Sequence, residues 1–592
     1  MFKIVKRCIR EYSKVAVITP ILVLGEVFLE VLIPFYIAEL VNQIKAGCSM
    51  DVLLRYAVIL IVMSLASLAF GGVAGITCST AACGLGKNLR KDMFYRIQDF
   101  SFDNIDRFSS SSLVTRMTTD IMNVQNSFMM IIRSVVRSPI MLIFAVIMAF
   151  KMGGRLAFVF VVVIPVLGFG LIYIALKVMP IFKSVFKKYD KLNNSVQENI
   201  KGMRVVKSFV REEFEKVKFK TAAEEVCKDF TKADRILALN GPIMQLCMYT
   251  NMIVVMGIGS KIVITSRGSE LDVGQLSSLI TYGAMILMSL MMASMVFVMM
   301  TLSAESAARI EEVLEEESNL VNPENPVMEV KDGSISFKGV DFAYSSNPKN
   351  RVLKGINLDI ASGETIGIIG ATGSSKSSLV QLLSRLYDVT AGSVLVGGVD
   401  VRDYDLVTLR DAVAVVLQKN VLFSGTIKEN LRWGNLEATD EEIMEACRLA
   451  CADEFIETFP DKYDSYIEQG GTNVSGGQKQ RLCIARALLK KPKVIIFDDS
   501  TSAVDTRTDA KIRKAMREFI PETTKIIIAQ RTASVEDADR IIVIDNGRII
   551  AVGPHDELIR KNELYREIYI SQNKADADAA IASADKGGEV NA

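Results

Sequence analysis

Apolar residues are concentrated in the first half of this chain. Six stretches, at roughly 16–41, 56–82, 132–152, 155–179, 240–265 and 274–301, each hold the ~20 mostly apolar residues that a membrane-spanning helix requires. Between the second and third, and between the fourth and fifth, apolar positions recur at helical spacing among many charges. Segments 83–131 and 180–239 are therefore expected to be helices that continue beyond the membrane. After about residue 301 the pattern changes. A charged helical run, Ser303–Asn319, leads through Asn322, Pro323, Glu324, Asn325 and Pro326 into strand-like alternation at 327–343. Short β-rich runs (Thr365–Ile369, Val394–Val396, Val494–Phe497, Lys525–Ala529, Ile541–Ile544) then alternate with helical ones, the pattern of an α/β domain. The expected organisation is a six-helix α-helical transmembrane domain at 1–315, a linker at 316–333, an α/β domain at 334–573 and a small, polar, disordered tail at 574–592.

Charge sets the orientation. Residues 1–15, 83–128 and 180–239 carry five, six and fourteen basic residues, whereas the alternate connections hold only Lys45, Arg55, Lys151, Arg155 and Arg267. Lys and Arg accumulate on the cytoplasmic side of membrane helices, so both termini, the long helical extensions and the α/β domain are expected on the cytoplasmic side of a cell membrane. The basic start resembles a signal peptide, but the apolar run behind it is too long and lacks a clear cleavage site. Over all 592 residues, 69 basic side chains oppose 68 acidic ones, which gives no electrostatic case for a nucleic-acid partner. His555 is the only histidine, which excludes a Ser-His dyad or a multi-histidine metal site within the chain.

The chemistry lies in the second half. Strand Thr365–Ile369 runs into Gly370, Ala371, Thr372, Gly373, Ser374, Ser375, Lys376, Ser377 and Ser378, and a helix with apolar periodicity follows. This resembles a Walker A P-loop, whose backbone N–H groups cradle phosphate while Lys reaches the β/γ-phosphates and Ser or Thr holds magnesium. At one position the pattern breaks: Ser375 stands where Gly is expected before Lys376. Val494–Asp498, an apolar strand ending in a carboxylate, matches Walker B, which places Asp498 near the magnesium ion. Upstream, Val474, Ser475, Gly476, Gly477, Gln478, Lys479, Gln480 and Arg481 resemble the signature motif of the ATP-binding-cassette (ABC) family.

That resemblance covers nearly all of residues 1–573 and has the form of an exporter half with an α/β P-loop NTPase (ABC) domain. It implies that Tyr344 stacks on adenine, that Gln418 is the Q-loop ligand of Mg2+ beside Ser377 and Asp498, and that Ser502–Asp505 is the D-loop. It implies ATP and Mg2+ as cofactors, each ATP lying between one chain's Walker motifs and the signature of a second, homologous subunit. Two further positions depart from the family: Asp499 stands where a Glu orients the attacking water, and Gln530 where a His lies near the γ-phosphate. Asp falls short by roughly 1.5 Å, and a displacement of about 1 Å can cost on the order of a hundredfold in rate. All three departures lie on the Walker side, whereas Ser475, Gly476, Gly477 and Gln478 are intact. The expectation is the degenerate subunit of a heterodimeric exporter moving small amphipathic or drug-like substrates. The alternatives are an ATP-gated channel or regulatory pseudo-ATPase of the same family, or a homodimeric lipid or peptide exporter.

Within the first span, Glu26 and Glu30 share a helical face. Carboxylates in a membrane are costly, so they are candidates for the substrate pathway, or else pair with a neighbouring helix or face cytosolic water. Phe102–Phe108 and Phe209–Phe214, with aromatics bracketing charges, are candidates for the short helices that transfer force to a cassette in related exporters.

Overall fold

The computed structural model describes residues 2–344 and 350–572; the tail expected at 574–592 lies outside them. The chain divides into two units, one of Met1–Asp99 with Phe108–Glu316, the other joining Phe100–Arg107 to the chain from Glu317 onward.

The first unit is a bundle of long helices, including Ser13–Lys45, Met50–Gln98, Val136–Gly153, Phe158–Lys201, Asn240–Ser266 and Val273–Glu315. Among the described residues five helical runs are long and apolar enough to cross a membrane. The third of these, Ser110–Phe182, contains two of the six predicted stretches. It is interrupted at Gly154, whose φ of +50° ends one helix before a short 3-10 turn starts the next. Glycine adopts that left-handed backbone without a Cβ clash. The 49-residue helix Met50–Gln98 is about 70 Å long at ~1.5 Å per residue, more than twice the ~30 Å hydrocarbon core, so it projects well past the membrane. Side chains such as Leu68, Phe169 and Ile253 stay about 70% or more exposed, as lipid-facing positions require.

Buried polar contacts tie the bundle together. Tyr282, fully buried, donates to the Val31 carbonyl at 2.9 Å, and Ser278 donates to that of Pro34 at 2.6 Å. Two π-helical turns, Arg116–Asp120 and Ile131–Val135, interrupt the third run. From the first, Arg116 donates to Glu312 at 2.7 Å, and the 1%-exposed Asp120 pairs with Arg309.

In the second unit, five parallel strands and one antiparallel edge strand form a sheet in the order Arg548–Gly553, Arg540–Asp545, Thr365–Ile369, Thr524–Ile528, Val494–Asp498, Val413–Val416. The central strands read as unbroken apolar runs because both faces are covered. A second, antiparallel sheet pairs Ile335–Phe342 with Leu353–Ile360 and Ala391–Val396. In this topology the residues following Ile369, Phe497 and Ile528 leave the carboxyl edges of neighbouring parallel strands, where open α/β sheets place their ligand sites.

Phe102–Phe108 forms a helix as expected, and its Asp106 accepts from the Tyr387 hydroxyl at 2.8 Å. The second candidate is corrected. The short helix is Met203–Ser208, and Phe209–Arg211 is a turn with Val210 at φ +51°, after which Glu212 opens the helix to Leu237.

Candidate functional site

The Walker loop turns tightly after its strand. Gly370 has no room for a side chain, because a Cβ there would stand 2.1 Å from the Ile544 carbonyl oxygen. Gly373 and Ser375 both lie in the left-handed region, at φ +82° and +76°. Ser375 thus occupies a backbone conformation that suits glycine, at a cost of roughly 1–2 kcal/mol. Lys376 Nζ donates to the carbonyls of Gly370 and Ala371 at 2.8 and 2.9 Å, which folds its side chain back over the loop. Burial lowers its pKa.

Across the cleft, the Ser377 hydroxyl donates to Asp498 Oδ1 at 2.9 Å. Asp498 is 6% exposed, and burial raises its pKa. This hydroxyl–carboxylate pair, with the Gln418 amide oxygen as a third donor, is the hard oxygen set that suits magnesium. A cavity of about 330 Å³ is lined by Thr372–Ser378, Gln418, Asp498, Asp499 and Gln530. Asp499, at φ +48°, has its Oδ2 held from two sides. The Gln530 amide donates to it at 2.9 Å and the Gln418 amide at 3.1 Å. The two departures noted in the sequence therefore bond to each other.

Ser475–Gln478 do not line that cavity. They form the start of helix Gly476–Leu489, closed by a reciprocal capping box. The Ser475 hydroxyl accepts from the Gln478 N–H at 3.3 Å and Gln478 Oε1 accepts from the Ser475 N–H at 2.8 Å. Gly477 packs so closely that a Cβ would lie 2.9 Å from the Ala503 carbonyl oxygen, and Gln480 accepts from the Ala503 N–H at 2.9 Å. The signature helix and the D-loop are thus one packed piece.

Comparison with known proteins decides what this arrangement belongs to. The family "ABC transporter transmembrane region" matches residues 17–291, and the family "ABC transporter" matches 353–502. An uncharacterized ABC transporter ATP-binding protein of Mycobacterium tuberculosis is 34% identical over 579 residues, spanning 97% of this chain and 98% of that protein. The uncharacterized ABC transporter ATP-binding protein YfiB of Bacillus subtilis is 34% identical over 564 residues, 95% and 97% of the two chains. Among solved structures, a bacterial Atm1-family ABC exporter with ATP bound has a TM-score of 0.82 at 25% identity, covering 95% of this chain and 99% of that one.

The chain belongs to the ABC transporter family.

As an ABC transporter it is a multi-pass membrane protein with a cytosolic ATP-binding domain that carries ATPase chemistry. Tyr344, the expected adenine platform, stands beside the Walker helix. Its hydroxyl lies 2.9 Å from Ser378 and donates to Gln381 at 2.9 Å, and its ring meets the edge of Tyr387 at 5.0 Å. The sole histidine, His555, lies 2.7 Å from the Tyr565 hydroxyl in the packing of the last helices.

In the membrane unit of this transporter, Glu26 and Glu30 meet one residue that sequence reasoning did not name. Arg137 pairs with Glu26 and donates to both Glu30 oxygens at 2.9 and 2.7 Å. Glu26 is 6% exposed, and its second oxygen has no partner in the described structure. Of the three settings open to these carboxylates, pairing with a neighbouring helix is the one observed. The signal was available: Arg137 is itself an ionisable residue inside an apolar stretch, and such residues require a partner.

Proposed function

We propose that this ABC transporter is one half of an ATP-driven exporter of small amphipathic compounds. Its own Walker site binds ATP with Mg2+ and hydrolyses it slowly, while Ser475, Gly476, Gly477 and Gln478 complete the site of a different, homologous chain. The observation that carries this reading is the double engagement of Asp499 by Gln418 and Gln530. A carboxylate that accepts from two amides and sits one methylene short of the water is a poor general base. Retention is another matter. Lys376 serves phosphate, Tyr344 the base, and Ser377, Asp498 and Gln418 the metal, and none of these contacts requires a catalytic base.

Photolabelling with 8-azido-ATP tests the reading, because it reports occupancy and the ATP-to-ADP ratio on each chain of the purified assembly separately. The expected result is a labelled chain that retains ATP while its partner accumulates ADP. Equal turnover on both chains would refute it.

A second reading is supported by the full-length likeness to an ATP-bound exporter at 25% identity: two copies of this chain pair with each other. Co-expression of two differently tagged copies separates the two. Mutual capture with full drug-stimulated ATPase activity favours the homodimer, and capture of a second homologous chain the heterodimer. For the substrate pathway, replacing both Glu26 and Glu30 with Gln is expected to weaken transport of cations into inside-out vesicles and to spare neutral substrates. Equal loss for both classes assigns the Arg137 cluster to structure alone.

A further inference from the structure

Helix Glu563–Gln572, the last among the described residues, lies against the loop that carries Gln530. Gln572 Nε2 donates to the Gln530 backbone carbonyl at 2.8 Å, and Gln572 Oε1 accepts from the Thr532 N–H at 2.9 Å and the Thr532 hydroxyl at 3.2 Å. One side-chain amide thus makes the donor-and-acceptor pair that a neighbouring strand would make. Two opposed bonds fix both distance and orientation, which a single bond does not.

The helix that presents Gln572 is itself held. Tyr565 and Tyr569 are buried in the same apolar cluster as Ala529 and Val535, on either side of the loop, and the Tyr565 hydroxyl meets His555. Gln530 passes the constraint on, because its side-chain amide donates to Asp499 Oδ2, which also accepts from Gln418. A continuous line of hydrogen bonds therefore runs from the end of the last described helix to the residue in the water-orienting position and to the Q-loop.

We infer that Gln572 is a positioning residue of this nucleotide site, holding the Gln530 loop so that Gln530 keeps its grip on Asp499. The inference rests on the reading that the site binds ATP. It places the control of slow turnover partly in the last described helix, outside every motif of the cassette.

The test uses the purified exporter assembly and 8-azido-ATP, with this chain's occupancy and ATP-to-ADP ratio followed over time. Gln572→Met keeps the length of the side chain and removes all three bonds; Gln572→Ala removes the side chain as well and serves if the methionine variant does not fold. Both are expected to raise turnover on this chain about three- to tenfold, because a loosened Gln530 frees one side of the Asp499 carboxylate. The ATP concentration for half occupancy should stay within about twofold of the parent, because no phosphate, base or metal contact is touched. Unchanged or lower turnover, with or without a loss of occupancy, overturns the inference. A parent chain that takes no label refutes the nucleotide reading itself, and the inference with it.

Discussion

Two helices of the cassette begin at a serine, and the two serines do opposite things. Ser475 opens the signature helix with extended backbone, φ −68° and ψ 161°, and its hydroxyl accepts from the N–H three residues on. Such a cap stabilises a helix by about 1 kcal/mol. Ser375 opens the Walker helix at φ 76° and ψ 23°, makes no cap bond, and carries a Cβ in a region that disfavours one. The same residue type is a stabilising cap on one side and a source of strain on the other, because the phosphate loop demands a left-handed turn and the signature loop does not. A departure from a motif is therefore best judged by the backbone it must adopt.

The contrast can be broken at several points. The largest effect is expected from Gly477→Val, whose side chain would collide with the Ala503 carbonyl and push the signature helix off the D-loop. ATPase activity of the purified assembly should fall more than ~tenfold, whereas Asp499→Ala should lower it less than ~twofold. If the Asp499 variant is the more damaging, this chain's own site carries the turnover and the asymmetry is wrong. Lys376→Ala should follow, weakening nucleotide occupancy on this chain about 10- to 100-fold, the worth of a charge-assisted hydrogen bond to phosphate. Equilibrium binding of a fluorescent ATP analogue measures it.

A smaller gain is expected from Asp499→Glu. Turnover on this chain should rise a few-fold, roughly three to ten, since the longer side chain recovers reach while Gln530 still cannot carry a proton. Smallest is the paired stability experiment on the two serines. Ser375→Gly should stabilise the cassette by about 1 kcal/mol through relief of strain, and Ser475→Ala should destabilise it by about the same amount through loss of the cap. Thermal unfolding of the detergent-solubilised protein reads the two shifts, and shifts of the same sign would remove the distinction between the serines.

Much of this was legible along the chain because the relevant groups are contiguous. The Walker and signature strings are local, and the spans announce themselves by length. What stayed hidden depends on pairing between residues far apart in sequence. Arg137 reaches Glu26 and Glu30 across 111 and 107 positions, and Gln572 reaches Gln530 across 42. Periodicity reports which face of a helix is apolar, but not which polar group lies opposite. The second short force-transfer helix was misplaced for a local reason: aromatic residues bracketing charges marked Phe209–Phe214, yet Val210 adopts a left-handed backbone that closes a turn there. A β-branched residue in that conformation is rare enough that no propensity argument anticipates it.

The bridge from Gln418 through Asp499 to Gln530 also bears on how such a site changes over generations. Asp and Glu codons differ at a single base, as do those of Gln and His, so a return to the family residues is short in mutational distance. It is not smooth. Lengthening Asp499 first pushes its carboxylate past two amides that now grip it, and changing Gln530 first takes one of those amides away. Each single step therefore gains only part of what both together would restore, so the two positions are epistatically coupled, and they should be gained and lost together among descendants of this chain.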